Sequence, residues 1–295
     1  MVMPMSVVAT QRMLPLLSLY LRRGLLAFVN FGWRPAKLFE DVNRAISLMV
    51  SRPGRELLLA TPYIKWTSDA RHELLERTWL TKSMLVDYWI AKIGSRIEQR
   101  LLARVRQQPC RIAQFERSTG KPVFYRTTGG LYWKVFTVKK PKFMIDGQPG
   151  SSSRETRFLV DDAASALAAT AALTSSLYWW WYTISSTLRD LNPTDVLGFP
   201  VPAELLADPE LQRLGAALQA ALQKNSSLKQ RVQKETGITQ SQTFKVSRCK
   251  AEIDRIDKRL AHLFGLRGEE LEFVLSYDIK GKVSASTEQL SFSVR

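Results

Sequence analysis

Three apolar runs near the start of the chain constrain its fold more than any other feature. They cover residues 2–8, 25–31 and 45–50, and the pattern over 11–23 predicts a helix between the first two. Strands that are apolar along their whole length are typical of a sheet covered on both faces, as in α/β proteins. Three strands with few helices do not complete such a sheet, so the chain is expected to begin inside a domain.

The rest of the sequence predicts an α+β region. Spacing predicts helix over 63–105, a β-rich stretch broken by glycine and proline turns over 111–160, and helix again over 161–186. A short turn or helix and then extended chain are predicted over 192–202. Amphipathic helices are predicted over 211–224 and 250–264, with a polar loop over 224–242. The aromatic block at 177–182 is expected in the core rather than on a stacking surface.

The net charge favours a polyanionic partner. The formal charge is +16 and the pI is about 10.0, while 45% of residues are apolar, so a real core and a basic surface are both expected. DNA or RNA is the first candidate, and a basic but otherwise ordinary globular protein is the alternative.

Other classes find little support. Cys110, Cys249, His72 and His262 are too few and too scattered for a zinc site or a disulfide scaffold, so we expect no metal and a cytoplasmic protein. The apolar stretch 13–31 is interrupted by arginines and is too short to span a bilayer, so no membrane anchor is expected.

Two motifs combine the side chains that contact nucleic acid. Residues 125–134 and 152–157 mix Arg or Lys with hydroxyl groups, glycine and aromatics, and between Lys121 and Arg157 there are eight Lys/Arg against two acids. The candidate DNA contacts are Tyr125, Arg126, Thr127, Lys134, Ser152, Ser153, Arg154, Thr156 and Arg157. In the structural alternative, Arg154 and Glu155 form an internal ion pair that shapes the loop.

Five segments in order carry a family resemblance: residues 31–39, 125–134, 152–156, 191–202 and 271–280. The series resembles the C-terminal part of the adenine-N6 DNA methyltransferases of type IIG restriction–modification systems. The resemblance implies that residues 1–105 are the last third of a Rossmann-like methyltransferase α/β domain. Residues 106–295 would then be an α+β target-recognition domain with C-terminal helices, which binds double-stranded DNA.

The chain departs from that family at the chemistry. It contains no glycine-rich loop after a strand and no Asn-Pro-Pro-Tyr or Asp-Pro-Pro-Tyr motif, and no nuclease cluster stands out. We therefore expect no catalytic residue here and no S-adenosylmethionine bound by this chain alone, although the complete enzyme would use it. A truncated or split protein is expected, with a separate chain carrying the missing cofactor-binding half.

One part of the catalytic apparatus is expected to remain. The resemblance implies that Phe39 stacks on the flipped adenine, with Trp33 as a second candidate and with Arg34 and Lys37 holding phosphates. In the structural alternative, Phe39 caps the sheet and the two cations are solvated. The alternative functions are a non-catalytic specificity or partner subunit that binds nucleic acid, and, less favoured, a basic protein of the membrane surface.

Overall fold

The computed structural model describes residues 1–76, 78–128, 133–233 and 237–277. The N-terminal elements are β1 (Val2–Pro4), α1 (Leu14–Arg23), β2 (Gly24–Phe31), β3 (Ile46–Pro53), β4 (Leu57–Ile64) and β5 (Thr81–Lys82). The strands form one mixed sheet in the order β1-β3-β2-β4-β5. Its one parallel pair is β2 with β4, and the other pairings are antiparallel.

Strand β2 lies between two strands that follow each other in the chain. The link between β3 and β4 therefore passes beneath the start of β2, where Gly54 N donates to Arg23 O (3.1 Å). A Cβ on Gly24 would lie 2.4 Å from Gly54 N and 2.6 Å from Arg52 O, and Gly24 has φ 144°. Only glycine fits this crossing without strain.

Two expectations about the N-terminal segment are wrong. The run 2–8 is a strand only as far as Pro4, because the chain then turns through a 3-10 helix, Met5–Val8, that buries its apolar side chains without sheet pairing. The predicted helix over 63–105 is not continuous. It divides into a 3-10 helix, Ser68–Glu73, and short strands that include β6 (Leu85–Val86) and β7 (Trp89–Ile90), which meet across a turn where Asp87 has φ 52°. Within this span, α2 (Arg96–Arg106) is the α-helix.

The second part of the chain combines small sheets with packed helices. Its strands are β8 (Cys110–Arg111), β9 (Lys121–Arg126), β10 (Phe143–Ile145), β11 (Gln148–Pro149), β12 (Glu155–Val160), β13 (Pro200–Val201), β14 (Ser226–Gln233) and β15 (Gly237–Phe244). Its helices are α3 (Ala163–Thr174), α4 (Ser176–Ser185), α5 (Pro193–Leu197), α6 (Pro209–Lys224), α7 (Lys250–Phe264) and α8 (Gly268–Ser276). The fold is thus mixed α/β with several small sheets.

Most predictions for this part are confirmed. The helix predicted over 161–186 begins where Asp162 accepts from Ser165 N (2.7 Å), and it divides at Ser175 into α3 and α4. The tryptophan block is buried, as expected. The polar loop predicted over 224–242 is instead the hairpin β14–β15. Residues 278–280, the end of the last family-like segment, lie outside the described residues.

The core is continuous across the expected boundary near residue 105. One cluster of buried apolar side chains runs from Met5 to Val274. Two polar side chains of the first part reach helix α4. Trp180 Nε1 donates to Glu98 Oε1 (3.2 Å), and Lys92 Nζ donates to the carbonyls of Ile184 (2.9 Å) and Ser186 (2.8 Å). These side chains hold the end of α4 against the N-terminal part.

Candidate nucleic-acid interface

The two predicted motifs meet on one antiparallel ladder. Strand β9 pairs with β12 so that Arg126 lies opposite Glu155, Tyr125 opposite Thr156 and Phe124 opposite Arg157. Beyond the ladder, Thr127 N and Oγ1 both donate to Arg154 O, at 2.8 and 3.2 Å. Thr127 and Arg154 are 27 residues apart in the sequence, so the two motifs share one small surface only because the strands pair.

Alternation along the ladder sorts its side chains into an inner and an outer face. Residues directly opposite each other point to the same side, and neighbours along a strand point to opposite sides. Tyr125 and Thr156 share the inner face, where Tyr125 packs on Phe136 with a ring-centroid distance of 5.4 Å. The other face, called here the outer face, carries Phe124, Arg126, Glu155 and Arg157. Arg157 is exposed there, Arg126 and Glu155 are half-buried, and Phe124 is buried.

Tyr125 is therefore placed differently from the sequence expectation. Its side chain is only 3% exposed, and burial raises the pKa of its hydroxyl to about 12. It supports the ladder from inside rather than offering a hydroxyl to a phosphate. Thr156, half-buried beside it, also belongs to this inner layer.

The turn before β12 presents the remaining candidates. Ser152 O accepts from Glu155 N (3.1 Å), and Ser152 Oγ accepts from Arg154 N (3.3 Å). This local bonding shapes the turn and leaves the side chains of Ser153 and Arg154 exposed. Within the described residues, Arg154 and Glu155 do not approach closely enough for an ion pair, so that alternative is not what shapes the turn.

Glu155 instead belongs to a group of charges that includes a lysine from another segment. Burial raises the pKa of the Glu155 carboxyl, and the nearby charges of Lys140 and Arg126 oppose that rise. Lys140 is exposed and lies in the link between β9 and β10. Sequence reasoning missed it as a site residue, although the Lys139-Lys140-Pro141-Lys142 run was a visible signal.

Lys134 also lies elsewhere than expected. Its side chain is 4% exposed, and its Nζ lies 4.7 Å from the centroid of the Tyr182 ring. Burial lowers the pKa of Lys134 to about 7, while the carboxylates of Asp195 and Asp190 act in the opposite direction. A lysine enclosed in this way belongs to the interior. Gly129, Gly130, Leu131 and Tyr132 of the same motif lie outside the described residues.

The loop after β2 carries the proposed base-stacking candidates. The guanidinium of Arg34 lies 4.3 Å from the centroid of the Trp33 ring, in a cation–π contact. Arg71 donates to Lys37 O (2.7 Å) and Leu38 O (3.0 Å), which ties the loop to the segment after β4. At the end of this fixed loop, Phe39 is 42% exposed.

The loop thus separates its four candidates by exposure. Phe39 and Arg34 are open to solvent, whereas Trp33 and Lys37 are half-buried. The ladder and the loop supply no group of three or more His, Cys, Asp or Glu side chains arranged for a metal ion, and neither does any other part of the described chain. No helix among the described residues has the length and apolarity needed to cross a bilayer.

Comparisons with known proteins do not assign this chain to a family. No protein-family model matches the sequence, and no curated protein matches it either.

Proposed function

We propose that this chain binds double-stranded DNA and recognises a target sequence, as the C-terminal portion of a type IIG-like adenine-N6 DNA methyltransferase. The observation that carries the proposal is the meeting of two separately predicted motifs on the β9–β12 ladder. Arg154, Arg157 and Lys140 are exposed there, and such cations bind the phosphate backbone by releasing its counterions. The net charge of +16 supports the same partner.

The contact set of the proposal is smaller than the sequence alone implied. Arg154, Arg157 and Lys140 hold phosphates, while Ser153 is an exposed hydroxyl donor in the same turn. Thr127 and Ser152 shape the backbone that presents them. Tyr125 and Thr156 support this surface from beneath, and Lys134 is enclosed against the rings of α4.

The methyltransferase part of the proposal concerns a complete enzyme. The glycine-rich loop and the Asn-Pro-Pro-Tyr motif are absent from the sequence, so the residues present do not fit S-adenosylmethionine, and the chain alone does not transfer a methyl group. In the complete enzyme, the cofactor would be held by another chain. The exposed ring of Phe39 is the group that would stack on a flipped adenine.

A second candidate is a specificity or partner subunit without catalysis. It is favoured by the outer edge of β1, which has no strand beside it in the described part of the chain. Val2 on that edge is 56% exposed, and Val50 on the neighbouring strand is 57% exposed. An open edge with apolar side chains can pair with a further strand from a partner.

A salt titration of affinity tests DNA binding by the ladder. For the wild type, log Kobs for a 20-base-pair duplex should fall linearly with log salt concentration. The double variant Arg154→Ala/Arg157→Ala should reduce the slope by about 2, because each lost phosphate contact reduces it by roughly 0.9. Arg213→Ala is the control, because Arg213 is exposed on α6 and bonded to Glu210 (2.6 Å). Equal slopes for all three proteins would refute the ladder as the interface.

A further inference from the structure

The hairpin β14–β15 is the largest feature that sequence reasoning missed. Each strand has eight residues, paired without a break from Ser226 opposite Phe244 to Gln233 opposite Gly237. The hairpin joins β10 and β11 in a four-stranded sheet of order β11-β10-β15-β14. Strand β14 is the edge, and its residues 227–232 are all exposed.

The hairpin has two chemically different faces. One face, called here the amide face, carries Leu228, Gln230 and Val232 of β14, with Gln242, Gln240 and Ile238 opposite them on β15. The other face carries Ser227, Lys229, Arg231, Thr239, Ser241 and Thr243. Apolar and amide side chains are thus separated from the charged ones.

The amide face is open and contains large apolar side chains. Val232 is 79% exposed, Leu228 49% and Ile238 43%. At its centre, Gln240 Nε2 donates to Gln230 Oε1 (3.3 Å) across the strands. This bond orients the two amides and leaves each of them further donor and acceptor capacity.

The sheet is fixed to the body at its base. Gln242 Nε2 donates to Gln223 Oε1 (3.1 Å) on α6, and Gln242 Oε1 accepts from Lys142 N (3.0 Å). At the other end, Asp146 Oδ1 on the β10–β11 turn accepts from Ile238 N (2.8 Å), so this carboxylate is held by the backbone of β15. The sequences of β14 and β15 contain Lys229 and Arg231 and no acidic residue.

We propose that the amide face lies in the DNA major groove and favours A·T base pairs. The proposal rests on the DNA binding proposed above and names the element that reads the bases. Paired β-strands fit the major groove, which is about 12 Å wide. There, glutamine amides bond to adenine N6 and N7, and apolar side chains contact the thymine methyl group. Lys229 and Arg231 lie on the opposite face of the same edge strand, where their charges add to the positive field that attracts the duplex.

Composition distinguishes this partner from a protein surface. A protein-docking strand edge needs only apolar contacts and backbone pairing, whereas this hairpin places two hydrogen-bonded amides between three exposed apolar side chains. The two cations of the edge strand, with no acidic residue in either β14 or β15, fit a polyanion. Adenine and thymine edges are the targets that use an amide and an apolar group together.

The test uses a duplex pool with eight randomised base pairs between fixed flanks. One pool contains natural bases, a second has 7-deazaadenine, which lacks N7, and a third has uracil in place of thymine, which lacks the methyl group. The proteins compared are the wild type, Gln230→Ala/Gln240→Ala, and Ser227→Ala as the control on the opposite face. Thermal unfolding monitored by circular dichroism checks that each variant is folded.

The wild type should retain sequences enriched in A·T pairs and should bind the 7-deazaadenine pool at least about fivefold more weakly. The glutamine double variant should lose the enrichment and show no difference between the natural and 7-deazaadenine pools. Ser227→Ala should behave as the wild type. If the double variant does not fold, the wild-type comparison among the three pools decides.

Two outcomes overturn the inference in distinguishable ways. If the wild type binds duplex DNA with salt sensitivity but neither base analogue nor glutamine substitution changes its selectivity, the reading element is wrong and DNA binding stands. If the wild type binds none of the pools at any salt concentration, the proposed function itself fails.

Discussion

The buried lysine Lys92 should make the stability of the whole chain depend on pH. Its side chain is 1% exposed, its Nζ donates to Ile184 O and Ser186 O, and burial lowers its pKa from 10.5 to about 7. Between those two pKa values, the unfolded chain binds a proton that the folded chain does not. The free energy of unfolding therefore rises with pH across this window. Below about pH 7 both states bind the proton, so the dependence of stability on pH disappears there.

The expected size follows from the shift. A difference of one pKa unit corresponds to about 1.4 kcal/mol, so Lys92 should add roughly 1.4 kcal/mol to the free energy of unfolding per pH unit between pH 7.5 and 9.5. Lys134, with its pKa also lowered to about 7, should add a similar slope. Above pH 10 the buried tyrosines act in the opposite direction because burial raises their pKa, so the assay stops at pH 9.5.

The assay is urea unfolding at pH 7.5, 8.5 and 9.5, followed by tryptophan fluorescence. Lys92→Met keeps roughly the volume of the side chain but leaves Ser186 O, at the end of α4, without the Lys92 Nζ donor, while Ile184 O still accepts from the backbone N of residue 92 (3.1 Å). The variant should therefore unfold more easily than the wild type at each pH. The decisive quantity is the slope against pH, which should fall by about 1.4 kcal/mol per unit in this variant. Equal slopes for Lys92→Met and the wild type would refute the buried-lysine account and the junction that it holds.

Further predictions concern packing, capping and the base-stacking loop. In a thermal-unfolding assay, Gly215→Ala should destabilise the protein by about 1–3 kcal/mol despite the better helix propensity of alanine, because the new Cβ would lie 2.2 Å from Leu167 O on α3. Gly268→Ala is the control, and it should be neutral or stabilising because no atom lies within 4 Å of its Cβ. Asp257→Ala should lower the free energy of unfolding by about 3 kcal/mol, since Asp257 Oδ1 accepts from Ser176 N (2.8 Å) at the start of α4; an unchanged urea midpoint would contradict this. Phe39→Ala should change the thermal midpoint of the protein by no more than about 2 °C, because the Phe39 side chain is 42% exposed. The variant should bind an intact duplex as the wild type does and should bind a duplex with an abasic site opposite adenine more weakly. A large loss of stability would favour the capping role instead.

Sequence patterns predicted the elements that are stabilised by their own apolar periodicity. Helices α6 and α7 and strands β2 and β3 appear close to where the apolar spacing places them. The hairpin β14–β15 could not be found in this way, because Ser226–Gln233 has only scattered apolar residues and its order comes from pairing with a neighbouring strand. The segment before α2 failed for the opposite reason, since its apolar residues matched a helical spacing while the turn at Asp87 folded them into short strand pairs.

The candidate site was predictable in chemistry but not in placement. The arginine and hydroxyl motifs could be found in the sequence, whereas the register that places Arg126 opposite Glu155 depends on long-range pairing. The same register turns Tyr125 inward, so a hydroxyl that looked available is part of the core. The sequence pattern places Lys134 among the surface cations, and only the surrounding aromatic rings show that it is enclosed.

The measurement that tests the central claim most directly is selection of the purified chain on a randomised duplex DNA pool at several salt concentrations, with sequencing of the retained fraction. We expect retention that falls steeply with salt and a short enriched motif, because exposed cations hold the phosphate backbone while a separate surface reads the bases. Salt-sensitive retention without any enriched motif would contradict target recognition. No retention at low salt would contradict DNA binding itself.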